Sequence, residues 1–129
     1  MNIRTLSIGL SAFVLLGIVC PCIGPRESII DTILAPFAIL GVCGFPPIVS
    51  MFFANRSTSP ISQIILAGTS LLYGVWFAYL YYDAFYVNLD PQSGIIVFLA
   101  GIVALPVLLP LWTTAIFIEM LHRPKKPEP

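Results

Sequence analysis

The sequence predicts an all-α membrane protein: four transmembrane helices in a compact up-down bundle, with both termini in the cytoplasm. Three observations predict it. Of 129 residues, 58% are hydrophobic and only 9% are charged, whereas a soluble domain carries roughly 25% charged residues because its surface faces water. The charges bound four long uncharged runs, and a helix needs about 20 apolar residues to cross the hydrocarbon. The positive residues, finally, gather at alternate ends of those runs.

Backbone amides cannot stay unpaired in hydrocarbon, so a spanning segment is a helix or part of a closed barrel. Barrel strands alternate apolar and polar residues. Runs such as Ile95-Ile96-Val97-Phe98-Leu99-Ala100 do not.

The first run lies between Arg4 and Arg26 and predicts a helix over residues 5–23, closed by Gly24-Pro25. It has a charged start but no small-x-small cleavage site, so it reads as a retained span and not a signal peptide. The second run, between Asp31 and Arg56, predicts residues 29–54. Ser57-Thr58-Ser59-Pro60 then separates it from a third helix over 61–82, which ends at Asp83. Asp90-Pro91 reads as an N-cap followed by proline at the first helical position, where a missing N–H costs nothing. It opens a fourth helix over 94–120. Residues 1–121 thus form one transmembrane domain, and the proline-rich, polar residues 122–129 read as a disordered cytoplasmic tail.

Orientation follows from the positive residues. Four spans put Arg4, Arg56, Arg123, Lys125 and Lys126 on one side and Arg26 alone on the other. That places both termini inside, with a bacterial plasma membrane as the expected location. The outer side then carries Glu27, Asp31, Asp83 and Asp90, so a net charge of zero hides a polarised molecule. The same balance, with no Lys/Arg stripe, speaks against nucleic acid as a partner. The Asn55-Arg56-Ser57 sequon falls on the inner side, where it is not expected to be glycosylated.

Cys20-Pro21-Cys22 is the most suggestive local pattern. It resembles, over three residues, the motif of copper-pumping P-type ATPases, whose thiolates suit soft Cu(I). The phosphorylation and nucleotide domains of such pumps have no counterpart here. A quinone-linked thiol oxidase of the four-helix type needs two cysteine pairs, and the chain has three cysteines. Cys43 is expected roughly 20 Å into the second helix at 1.5 Å per residue, out of reach of the other two. A small apolar residue at a proline-punctuated helix end is the plainer reading of Cys20 and Cys22. No cofactor or metal is expected.

His122 has no acid able to complete a Ser-His-Asp arrangement on its own side; Glu119 beside it reads as a solvated helix end. No ionisable residue falls at a helix centre, which speaks against a proton-coupled transporter. Thr69-Ser70 reads as interhelical glue. Pro36 and Pro46-Pro47 interrupt the second helix, and Pro106 and Pro110 the fourth. The carbonyls they free must face protein or water. With the small pairs Gly41/Gly44 and Ala100/Ala104, this predicts that the second and fourth helices pack in the bundle interior.

Tyr73, Trp76, Phe77, Tyr79, Tyr81, Tyr82, Phe85 and Tyr86 crowd the outer end of the third helix. They read as an interfacial belt or, more sharply, as a partner-binding patch. Tyr81, Tyr82, Asp83, Phe85 and Asp90 are the candidate contact residues. The expected role is a non-enzymatic accessory or protective protein of the immunity type. It acts through protein contacts, with a membrane protein or a second copy of itself, in or at the lipid bilayer. The alternatives are a small oligomeric channel or transporter built on the broken second and fourth helices, and a thiol or Cu(I)-binding protein using Cys20 and Cys22.

Overall fold

The computed structural model describes residues 2–20, 41–87 and 93–122. Among these the chain is all-helical, with no strand. Helix α1 (Ile3–Val19) starts at Asn2, whose side chain accepts from the Arg4 N–H at 3.3 Å. Helix α2 is Phe45–Arg56 and α3 is Pro60–Tyr82, which continues as a π-helical turn over Asp83–Val87. Three pieces follow: α4 (Ser93–Phe98), α5 (Ala100–Val103) and α6 (Leu105–His122).

Two helices are long and apolar enough to cross a membrane: Pro60–Val87, at 28 residues, and Leu105–His122, at 18. Only 28% and 22% of their apolar windows are buried within the protein, whereas the core helix of a soluble domain is mostly buried. Helix α1 is apolar but shorter.

The proline positions explain the breaks at residues 43–44 and 104. The second helix, expected to be interrupted at Pro36, which lies outside the described residues, and at Pro46-Pro47, is broken at Cys43 and Gly44, just ahead of the latter pair. It restarts with Pro46 and Pro47 in its first turn, where no intrahelical N–H is needed. The fourth, expected over 94–120 with interruptions at Pro106 and Pro110, breaks at Ala104, just before Pro106, and also at Leu99, where no proline stands nearby. Pro110 stays inside α6 and leaves the Pro106 carbonyl without its i+4 donor. The third helix runs past its expected end at residue 82 to Val87. His122, expected in the tail, closes α6, and the other expected tail residues, 123–129, lie outside the described residues.

The centre of the fold differs from the expectation. Helix α3, rather than the second and fourth helices, packs against α1, α2 and α6 together. Ser11 and Ser70 share a buried hydrogen bond of 2.8 Å between α1 and α3. One turn on, the Val14 methyls lie 2.9 Å from where a Cβ on Gly74 would stand, so glycine sets that crossing. Ser62 donates to the Ala115 carbonyl of α6 at 3.0 Å. Ser70 is therefore the bridge foreseen, while Thr69 turns back to the Ile65 carbonyl of its own helix at 2.7 Å. Leu66, Tyr73, Phe77, Leu108, Trp112 and Ala115 fill the core between these helices.

The second and fourth helices do meet, at their breaks. A Cβ on Gly101 would stand 1.9 Å from the Val42 carbonyl oxygen, so only glycine allows this backbone approach. Ala100 and Ala104 are buried beside it, whereas Gly41 faces open space.

Candidate functional site

The outer candidate residues are organised by α3. Aromatic residues four apart lie on one helix face, and Tyr73, Phe77, Tyr81 and Phe85 form such a column. Successive ring centroids stand 6.2, 6.5 and 4.6 Å apart. The column starts in the core, with Tyr73 2% and Phe77 5% exposed, and climbs to Phe85, 48% exposed. Tyr73 and Phe77 are thus core residues and do not belong to an interfacial belt. A second column, Tyr82 over Tyr86, stacks at 5.5 Å with ring planes 18° apart. Both rings are exposed.

The π-turn Asp83–Val87 carries the ends of both columns. Such turns are rare and recur at functional positions. Tyr81, Tyr82, Asp83 and Phe85 are brought together here, Asp83 half-buried. Asp90 lies outside the described residues. These rings contain no nucleophile, base or metal ligand set. What they offer is apolar, shape-bearing surface whose rotamers are already fixed by stacking, the usual material of a binding hot spot.

The breaks of the second and fourth helices form a sealed polar seam. The Tyr73 hydroxyl donates to the Cys43 carbonyl at 2.5 Å. The Cys43 thiol donates to the carbonyls of Phe98 and Val97 at 3.0 and 3.3 Å. The Trp112 indole N–H donates to Ser50 Oγ at 3.0 Å, tying α6 to α2. Three carbonyls at the breaks, those of residues 43, 97 and 98, are met here by protein groups.

At the opposite end, Glu119 corrects the expectation of a solvated helix end. It is 8% exposed. Its Oε2 accepts from Ser57 Oγ at 2.6 Å and from the Ser59 N–H at 3.0 Å. Its Oε1 accepts from Thr58 Oγ1 at 2.7 Å and the Thr58 N–H at 3.0 Å. The carboxylate from α6 thereby satisfies orphan donors at the start of α3, and its charge sits at the positive end of that helix dipole. The sequence signal was the Ser57-Thr58-Ser59-Pro60 stretch, rich in donors ahead of a helix. Its acceptor stands sixty residues away and could not be assigned from spacing. His122 bonds the Ile118 carbonyl of its own helix at 2.9 Å and is exposed.

Cys20 is exposed at the end of α1 and Cys43 is buried, so the structure does not bring these thiols together. Cys22 lies outside the described residues. Among the described residues no group of three His, Cys, Asp or Glu side chains is placed to hold a metal ion. Comparison of the chain with protein families, with characterised proteins and with solved structures finds no match.

Proposed function

We propose that this chain is a multi-pass membrane protein with four spans and both termini in the cytoplasm, in a bacterial plasma membrane. It works without catalysis, by protein contact at the aromatic end of α3. The observation that carries this reading is the length of that helix. Its 28 residues extend about 42 Å at 1.5 Å per residue, against about 30 Å of hydrocarbon. A helix near the bilayer normal then has about 12 Å to spare, roughly two turns, and we place this surplus at its aromatic end. Those turns hold the stacked Tyr82–Tyr86 pair and the exposed Phe85. Rings that only anchor a helix at the interface need no fixed mutual geometry, whereas a recognition surface gains from rings ordered before binding.

The channel reading loses support at the helix breaks, where carbonyls of residues 43, 97 and 98 are engaged by Tyr73 and Cys43. The thiol reading rests on Cys20 and Cys22, of which Cys20 is exposed at the end of α1 and Cys22 lies outside the described residues.

The test is a cross-linked, detergent-solubilised pull-down beside a membrane-insertion reporter. Tyr82→Ala and Phe85→Ala should each abolish partner recovery with expression and insertion intact. Asp83→Lys should slow association or reverse its salt dependence, since rim charges act mainly on encounter. Recovery at the wild-type level by all three variants would remove the aromatic end from the mechanism.

A further inference from the structure

The opposite end of the molecule carries a second constellation, built around Phe52 on α2. This ring separates two grooves. One, of about 210 Å³, is walled by Phe53, Leu66, Ile116 and Met120 and opens at Arg56 and Ser57. The other, of about 370 Å³, is walled by Ile8, Ile48 and Met51 and opens at Asn55. Each groove is apolar along its length and polar at the same end.

Arg56 lines the first groove, and Arg4 is bonded to Asn55, which lines the second. Arg56 lies over the Phe52 ring with its Cζ 4.4 Å from the centroid. Arg4 reaches across from α1 to the Asn55 carbonyl and to Asn55 Oδ1, the latter at 2.6 Å. That carbonyl belongs to the peptide bond joining Asn55 to Arg56, so both cations are gathered at one helix end. Neither contact neutralises a charge, because an aromatic ring and an amide are the partners. Glu119 also lines the first groove, but its oxygens are taken up by Ser57, Thr58 and Ser59. The five hydrogen bonds it accepts disperse its charge, which weakens both its pull on a headgroup ammonium and its repulsion of a phosphate.

From this geometry we propose a binding site for one anionic diacyl phospholipid. Its phosphate lies between Arg4 and Arg56, and its two acyl chains occupy the grooves on either side of Phe52. The charge pattern fits phosphate without an amine, and paired apolar grooves fit two chains. Basic pockets between membrane helices hold anionic headgroups for the same electrostatic reason. The proposal rests on the membrane reading above, and the two fail separately.

The test is native mass spectrometry of the full chain in detergent, with added phosphatidylglycerol, phosphatidylcholine of matched chains, lysophosphatidylglycerol or glycerol 3-phosphate. Phosphatidylglycerol should be retained at least about tenfold better than phosphatidylcholine, as expected of two near-surface cationic contacts. Arg4→Gln and Arg56→Gln should each lower its retention roughly fivefold, whereas Arg4→Lys and Arg56→Lys keep the preference. The single-chain lipid should be held less well, and glycerol 3-phosphate not at all. Equal retention of the two diacyl lipids overturns the site, as does retention unchanged by Arg56→Gln. Among the described residues Arg56 makes no side-chain hydrogen bond to another helix, so this variant remains informative even where Arg4→Gln fails to fold. Binding of glycerol 3-phosphate as strong as that of the lipid would mean a soluble phosphate site and overturn the acyl part. Alkaline carbonate extraction reports on the membrane reading alone. Release of the chain by carbonate sinks that reading, whereas a chain that stays in the membrane without lipid preference sinks only the site.

Discussion

Glu119 shows how one residue can hold two elements together. Its carboxylate satisfies two hydroxyls and two backbone N–H groups of Ser57, Thr58 and Ser59, all at the start of α3. A hydrogen bond to a charged group contributes about 1.5–3 kcal/mol, and an orphaned buried donor costs a similar amount. Removing the acceptor leaves several such donors at once. Glu119→Ala should therefore destabilise the detergent-solubilised protein by about 2–4 kcal/mol, read as a fall in unfolding temperature. Glu119→Gln keeps one oxygen and should lose less. Equal stability of Glu119→Ala and wild type would mean that water replaces the carboxylate. From the sequence, Glu119 and His122 looked like neighbours at a frayed end. The distinction needed the partner loop, which sequence spacing could not bring near.

At the scale of elements, proline fixes where helices stop and glycine fixes how close they come. Pro46, Pro47 and Pro106 could be recognised as interruptions because the ring removes a donor whatever surrounds it. Which small residue permits contact was less visible. Spacing singled out Gly41, Gly44, Ala100 and Ala104 and passed over Gly101, yet Gly101 is the one facing the Val42 carbonyl. A Cβ there, 1.9 Å from that oxygen, cannot be absorbed by a flexible side chain. Gly101→Val should push α5 away from the break in the second helix and cost about 1–3 kcal/mol, as overpacking does. Gly41→Ala, in open space, serves as the matched control and should be near neutral. Thermal unfolding of the two variants side by side checks the pair.

For the whole molecule, the arrangement of charges makes the sharpest prediction. Under the proposed four-span topology, a reporter active in the cytoplasm should work when fused at the C-terminus, and one active in the periplasm when fused after Val87. A cytoplasmic signal at Val87 would overturn the four-span arrangement and with it the outward-facing aromatic end. The structure lends the reading partial support, since Pro60–Val87 and Leu105–His122 have the length and hydropathy to cross. Arg4 and Arg56 cluster at one end of the fold, through Asn55, and the Asp83–Val87 turn closes the other end of α3.

The sequence by itself determined the helical class, the proline interruptions beside residues 46 and 106, and the start of the third helix to within a residue. These depend on local chemistry: apolar runs must be helical in lipid, prolines must interrupt, and charges must stay near water. Tertiary structure alone decided which helix is central, which aromatics are core and where Glu119 points. Tyr73 and Tyr82 are the same residue type on one helix, yet one is buried against Cys43 and the other is open. In a helix apolar on every side, hydropathy carries no phase to say which face meets protein and which meets lipid. That choice is made by partners distant in sequence, such as Ser11 with Ser70 and Ser50 with Trp112, once their helices are packed together.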